Sequence, residues 1–378
     1  MKSNPLKELG TLGQSIWLDY IRKDLMTSGR LRHLIEEDGL RGMTSNPSIF
    51  EKAIADGHIY DEDIRALALK GQSTAVIYES LSQRDVESAA DQFRPLYDRT
   101  DGQDGYVSLE VNPHLAHDSQ GTMQEARRLW AALSRPNVLI KVPATGDGLA
   151  AIRQLIGEGI SVNVTLLFGL PRYRQVAEAY IAGLEARAAQ GKPLKHVASV
   201  ASFFVSRIDA LVDPLLEKRI AQAGNKAELA KRASGQVAIA SAKMAYQIYK
   251  EIFGGDRFKK LAAQGACVQR LLWASTSTKN PDYSDVKYVE ALIGPDTVNT
   301  APMETLDAYR DHGEPKPRLE QDAKEASRVL EQLPELGISI DQATRQLEDE
   351  GVDKFIKPFD KLMETLAQRS PRPLTRTS

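Results

Sequence analysis

A single cysteine stands in 378 residues, so the chain forms no internal disulfide and assembles no cysteine-based metal cluster. Aromatic residues are sparse at 6%, and the basic pairs Arg127/Arg128 and Lys259/Lys260 carry no interleaved aromatics for stacking on bases. Neither sign of charge dominates. The 49 Lys and Arg residues against 51 Asp and Glu leave a formal charge of −2, which supplies no global field to hold nucleic acid. The longest apolar runs, such as SVNVTLLFGL at 161–170, fall well short of the ~20 residues that span a bilayer. The opening MKSNPLKELG lacks the apolar run and cleavage site of a secretory signal. A reducing, cytoplasmic location with neither a membrane nor a nucleic-acid partner is therefore expected.

What is present is a large core, since 42% of residues are hydrophobic and a chain of this length buries roughly 75% of its unfolded surface. Short β-branched runs alternate with helix-forming segments, the pattern of repeated strand–helix units. Eight strands are expected: SIWLD (15–19), RGMT (41–44), GYVSLEV (105–111), NVLIKVPA (137–144), SVNVTLLF (161–168), HVASVASFF (196–204), CVQRLLWAS (267–275) and TVNTAP (297–302). Helices are expected at 25–37, 61–81, 85–97, 122–133, 149–157, 172–190, in part of 209–232, and at 241–253. This rhythm predicts an α/β fold, a closed (β/α)8 barrel over residues 1–308. A polar connector, DHGEPKPR, leads into a helical extension over 309–369 that opens at a capping-like Asp322 and contains separate amphipathic segments at 338–347 and 352–366. Residues 370–378, rich in Pro and small polar residues, are expected to form a flexible tail. An amphipathic extension covers its own barrel or a second subunit, so the oligomeric state stays open.

Lys141 is the informative residue. Alternation in NVLIKVPA puts Val138, Ile140 and Val142 on one face and Lys141 on the other, pointing into the barrel. There an ammonium loses water, its pKa falls unless an acid pairs with it, and a neutral amine attacks a ketone to form a Schiff base. The competing explanation is a lysine whose stem is buried and whose head reaches solvent. Asp19 and Glu110 close apolar strands and aim two carboxylates at the same interior, an expensive placement unless they move protons or pair with Lys141. Asn163 and Thr165 share the inward face of SVNVTLLF, and Asn46 follows RGMT, where it either orients a sugar hydroxyl or forms a turn. One amine, two acids and these amides and hydroxyls outline a pocket for a polyhydroxylated carbonyl compound.

Arg207 in SFFVSRID and Ser275 in LLWAS stand at strand ends and suit a phosphate, with Ser202, Ser277 and Lys279 nearby. For Arg207 the alternative is an ion pair with Asp209. Gly146 and Gly148 open a strand-to-helix turn that is neither a Walker loop nor a dinucleotide fingerprint. His114, His117 and Asp118 read as surface or capping groups rather than a metal site. Cys267 reads as a small buried residue opening a strand, and Trp273 as barrel packing.

The motifs SIWLDY, GMTSNPSIF, SLEV, IKVPAT, SVNVTLLF, SFFVSRID, LLWASTSTKNP and TVNTAP, in this order, resemble the transaldolase family in its large bacterial form. The resemblance spans 15–302. It implies that Lys141 forms the Schiff base, that Asp19 is the acid/base at the C4 hydroxyl, and that Glu110 relays protons through a water held with Thr165. It also implies that Thr44, Asn46, Asn163, Ser202, Arg207, Ser275 and Lys279 bind substrate, with neither metal nor organic cofactor. The partners so implied are phosphorylated ketoses and aldoses. Shorter members have a second phosphate arginine where this chain has Ser277, and Lys279 is a point charge rather than a fork. An aldolase that releases free dihydroxyacetone is the enzymatic alternative, and a phosphosugar-binding barrel without turnover the non-enzymatic one.

Overall fold

A computed structural model describes residues 4–55, 57–224 and 226–370. Eight parallel strands form one closed barrel: β1 (Gln14–Asp19), β2 (Gly42–Thr44), β3 (Tyr106–Glu110), β4 (Val138–Pro143), β5 (Val162–Leu167), β6 (Ser199–Phe204), β7 (Arg270–Ala274) and β8 (Thr297–Ala301). They pair in sequence order and β8 returns to β1, which leaves no exposed edge. The barrel with its surrounding helices is the (β/α)8 architecture expected from the strand–helix rhythm.

Both faces of each strand are buried, as befits parallel strands wrapped by helices. Val138, Ile140 and Val142 turn outward and are fully buried, while Lys141 turns inward beside Glu110 on β3 and Asn163 on β5. The interior is stacked in levels. At the N-terminal end Arg270 donates to Ser15 Oγ (2.9 Å) and Asp104 (3.1 Å), and Ser15 donates to Asp104 (2.6 Å). Trp17 fills the next level, and Asp19 ends the same face of β1 at the C-terminal mouth. Trp273 is also fully buried and donates its indole N–H to the Leu292 carbonyl at 3.1 Å, as packing requires.

Several expectations are corrected. The alternation in β5 ends after Thr165: the pairing with β6 shifts between Val164 and Leu167, and Leu166 takes φ 55°, so it does not continue the Val162–Val164 face. Cys267 precedes β7 and is exposed, because β7 begins only at Arg270. The helix expected over 25–37 is divided into Lys23–Thr27 and Arg30–Glu37 by Gly29 at φ 80°. Likewise 61–81 divides at Gly71, after which Ser73 caps one helix, Thr74–Arg99.

Asp322 takes φ 55° and makes no side-chain cap bond. The two amphipathic segments beyond it fuse into a single helix, Ile340–Arg369, capped by Ser339. Gly351 lies inside this helix, where a Cβ would lie 3.1 Å from Leu166 Cδ2, so its small size lets the helix approach the end of β5 closely. This C-terminal helix lies against Pro47–Ala55 and Thr74–Arg99. Arg172 clamps Glu348 with two 3.1 Å bonds, Lys361 meets Glu51 at 2.6 Å, and Arg369 donates to the carbonyls of Ile54, Ala55 and Gly57. Of the terminal segment 370–378, all but Ser370 lies outside the described residues.

Gly42 permits the Trp17 level to close, because a Cβ there would sit 2.5 Å from Trp17 Cε2 inside the barrel. Gly42→Ala is expected to destabilise the fold by roughly 1–3 kcal/mol through overpacking. Chemical denaturation checks it, and an unchanged midpoint contradicts it.

Candidate active site

At the C-terminal mouth, β3 and β4 set Glu110 and Lys141 opposite one another in register. Lys141 Nζ donates to Glu110 Oε2 at 3.1 Å and to the Ser45 carbonyl at 2.9 Å. Its side chain is only 6% exposed, which removes the solvent-reaching lysine as an explanation. An acid does pair with the amine, as the sequence required of a buried one. Burial raises the Glu110 pKa to about 7, with the Lys141 charge and hydrogen bond opposing the rise.

Above this pair opens a cavity of about 440 Å³ lined by Asp19, Thr44, Lys141, Thr165, Ser202 and Arg207, among others. Asp19 stands across it from Lys141 and accepts a 2.7 Å bond from Thr44, which also meets Thr300 at 2.7 Å. Burial raises the Asp19 pKa; the charge of Lys141, the Thr44 bond and the charges of Arg207 and Lys279 oppose it. Two carboxyls biased toward their protonated forms thus flank one amine. That is the composition for moving protons during carbonyl–amine chemistry.

Thr165 lines the cavity fully buried, and its hydroxyl has no hydrogen-bond partner among the described residues. Asn46 forms the turn foreseen for it, its side chain accepting from Ile49 N at 3.1 Å to open the Pro47–Ala55 helix, and the residue also lines the cavity. Asn163 lies fully buried, its amide donating to Ser108 Oγ (3.0 Å) and accepting from Ser202 Oγ (2.6 Å). Among these contacts it orients Ser202, which does line the cavity.

The far end is cationic. Arg207 begins the Ser206–Ala221 helix, with its guanidinium 5.2 Å from the Phe204 ring centroid. It forms no ion pair with Asp209, whose oxygens accept from Ala238 N (2.7 Å) and Tyr288 OH (2.9 Å). Arg207 Nη1 is buried without a hydrogen-bond partner among the described residues, a donor of the kind that suits an anion. Burial lowers the Arg207 pKa, while the charge of Asp19 raises it. Ser275 lines the cavity at φ 54°, its hydroxyl 3.0 Å from Ser206 Oγ. Lys279 is exposed and donates to Ser277 Oγ at 2.7 Å, which sets an ammonium beside Arg207 at this end of the cavity. Desolvation lowers its pKa, and Arg207 adds to the shift.

Sequence reasoning overlooked several contributors. The Ser45 carbonyl that receives Lys141 is backbone and carries no side-chain signal. Lys52, one turn into the helix after Asn46, lines the cavity as a further basic residue besides Lys141, Arg207 and Lys279, and its exposed position reads as an ordinary solvated face. Phe355 arrives from the C-terminal helix, its ring centroid 5.5 Å from Lys141 Nζ. In sequence it is one more apolar position of an amphipathic stripe. Away from the cavity, His114 pairs with Asp360 at 2.7 Å and Asp118 accepts from Gly121 N at 2.9 Å, each as a surface or capping group.

As a carboxylate, Glu110 is the base next to the amine, so the pair becomes competent as pH rises through the Glu110 pKa. For a ketose phosphate, kcat/KM is expected to climb through about pH 7, and Glu110→Gln should remove that limb while lowering the plateau about a hundredfold or more. A profile flat between about pH 6 and 8 contradicts this assignment.

Residues 16–366 match the transaldolase/fructose-6-phosphate aldolase family. The transaldolase of Trichodesmium erythraeum is 50% identical over 373 residues, covering 98% of both chains. Transaldolase 2 of a Nostoc species is 50% identical over 371 residues, covering 97% of each. The Thiobacillus denitrificans transaldolase is 47% identical over 360 residues, 95% of this chain and 99% of its own. With the match running through all eight strands and the C-terminal helix, this chain belongs to the transaldolase/fructose-6-phosphate aldolase family.

Proposed function

We propose that this chain is a transaldolase. It reversibly transfers a dihydroxyacetone unit from sedoheptulose 7-phosphate to glyceraldehyde 3-phosphate, giving erythrose 4-phosphate and fructose 6-phosphate in the pentose phosphate pathway. The observation that carries the reading is a buried lysine amine 3.1 Å from a carboxyl under a cavity that also holds Asp19 and an unpaired guanidinium N–H. The transaldolase names of relatives near half-identical over their full length support the same reading. It places the reaction in the cytoplasm, where charged sugar phosphates are retained.

The neutral Lys141 amine attacks C2 of the ketose. Glu110, with a water held by Thr165, relays protons as the carbinolamine forms and loses water to an iminium. Asp19 then takes the C4 hydroxyl proton; the C3–C4 bond breaks, its electron pair flows toward the iminium nitrogen, and erythrose 4-phosphate departs. The three-carbon enamine left on Lys141 attacks the aldehyde carbon of glyceraldehyde 3-phosphate through C3, and Asp19 returns the proton to the new hydroxyl. Hydrolysis of the iminium frees fructose 6-phosphate. Thr44 fixes the Asp19 carboxyl, Asn46, Ser202 and Ser275 bind substrate oxygens, and Asn163 supports Ser202. Arg207 binds the phosphate with Lys279 beside it.

Borohydride reduction with fructose 6-phosphate, followed by peptide mass mapping, is expected to give a nearly stoichiometric adduct at Lys141. An adduct only at another lysine overturns the site. Arg207→Ala is expected to lower kcat/KM for phosphorylated donors about ten- to hundredfold, the worth of a lost charge-assisted bond, chiefly through KM. Equal loss toward phosphate-free donors argues against phosphate recognition.

A further inference from the structure

Phe355 is 4% exposed and lines the same cavity as Lys141, Asp19 and Thr165. Among the described residues it is the only lining residue from beyond Glu304. Its support is rigid. One turn further along the helix, Phe359 meets Tyr78 edge-on at 5.5 Å, and Asp360 pairs with His114. Glu348 and Lys361 clamp the same helix on either side, to Arg172 and Glu51. The ring is therefore a fixed wall over the amine.

We propose that Phe355 shields the three-carbon enamine on Lys141 from water, and so sets the balance between transfer to an aldehyde and release of free dihydroxyacetone. The inference rests on the Schiff-base reading above and extends it to the partition of the intermediate. Once the first aldose phosphate has left, the enamine has two fates. It attacks an incoming aldehyde through C3, or C3 takes a proton from solvent and the enamine becomes an iminium again. In the second case water adds at C2, the C–N bond breaks with its electron pair going to nitrogen, and dihydroxyacetone and the Lys141 amine are released. Both steps of release consume water or its proton close to Lys141. An apolar ring 5.5 Å from Nζ covers one side of the amine and offers water no hydrogen bond there, which limits water beside the enamine to what the polar groups of the opposite side hold. The ring face also attracts the cationic iminium nitrogen, which helps hold the bound unit in place.

The test compares the wild type with Phe355→Ala, Phe355→Gln and Phe355→Leu, using fructose 6-phosphate with and without erythrose 4-phosphate. Free dihydroxyacetone and sedoheptulose 7-phosphate are both measured, and their ratio is the readout. Alanine and glutamine, which admit water, are expected to raise the ratio of release to transfer at least about tenfold, whereas leucine, still apolar, keeps it within about threefold even if turnover falls. An unchanged ratio in both Phe355→Ala and Phe355→Gln overturns the proposal, as does a leucine variant that behaves like alanine. Should alanine prevent folding, the glutamine and leucine variants decide between the same outcomes. Borohydride trapping at Lys141 in the wild type separates the two levels: an adduct there with an unchanged ratio refutes the shield alone, and no adduct at Lys141 refutes the Schiff-base reading and the shield with it.

Discussion

An amine and a carboxyl share the closed interior of the barrel at 3.1 Å, each side chain 6% exposed, and the arrangement of the mouth follows from that contact. Taking two such groups out of water is costly, and their mutual attraction offsets this only with good geometry and further hydrogen bonds. The Ser45 carbonyl supplies one such bond to Lys141, and the parallel register of β3 with β4 supplies the geometry. Burial pushes Glu110 up to about 7, so the carboxyl beside the amine gains and loses its proton near neutrality.

Around this pair the site is graded by charge. The Lys141–Glu110 end is compact and buried, while the Arg207–Lys279 end is cationic and opens toward solvent. Asp19 lies within the electrostatic reach of both ends, since Lys141, Arg207 and Lys279 all act on its proton affinity. This gradient suits a substrate that carries a carbonyl at one end and a phosphate at the other. Lys279, held by Ser277, adds a point charge beside the forked Arg207 guanidinium.

Much of the site was readable before any coordinates because the barrel collects strand ends at one mouth. Lys141 and Glu110 stand in register on parallel neighbours, and period-two alternation suffices to aim both inward. Elsewhere the pattern misled. Leu166 follows the alternation on paper, but a register shift at the C-terminal end of β5 turns it aside. Cys267 looks like the start of an apolar strand, yet β7 begins only where Arg270 binds Ser15 and Asp104.

The order of residue types along the chain determined the eight strands, the inward direction of Lys141, the acids beside it and the family, because these depend on local alternation and on motifs in sequence order. Tertiary structure alone decided that Ser45 would offer its carbonyl, that Arg207 would be left unpaired by Asp209, and that Phe355 would reach Lys141 from 214 positions further along the chain. The physical reason is common to all three. Each depends on which surfaces meet when the barrel closes and the C-terminal helix settles across its mouth, and an apolar stripe or a backbone carbonyl carries no local mark of the partner it will find.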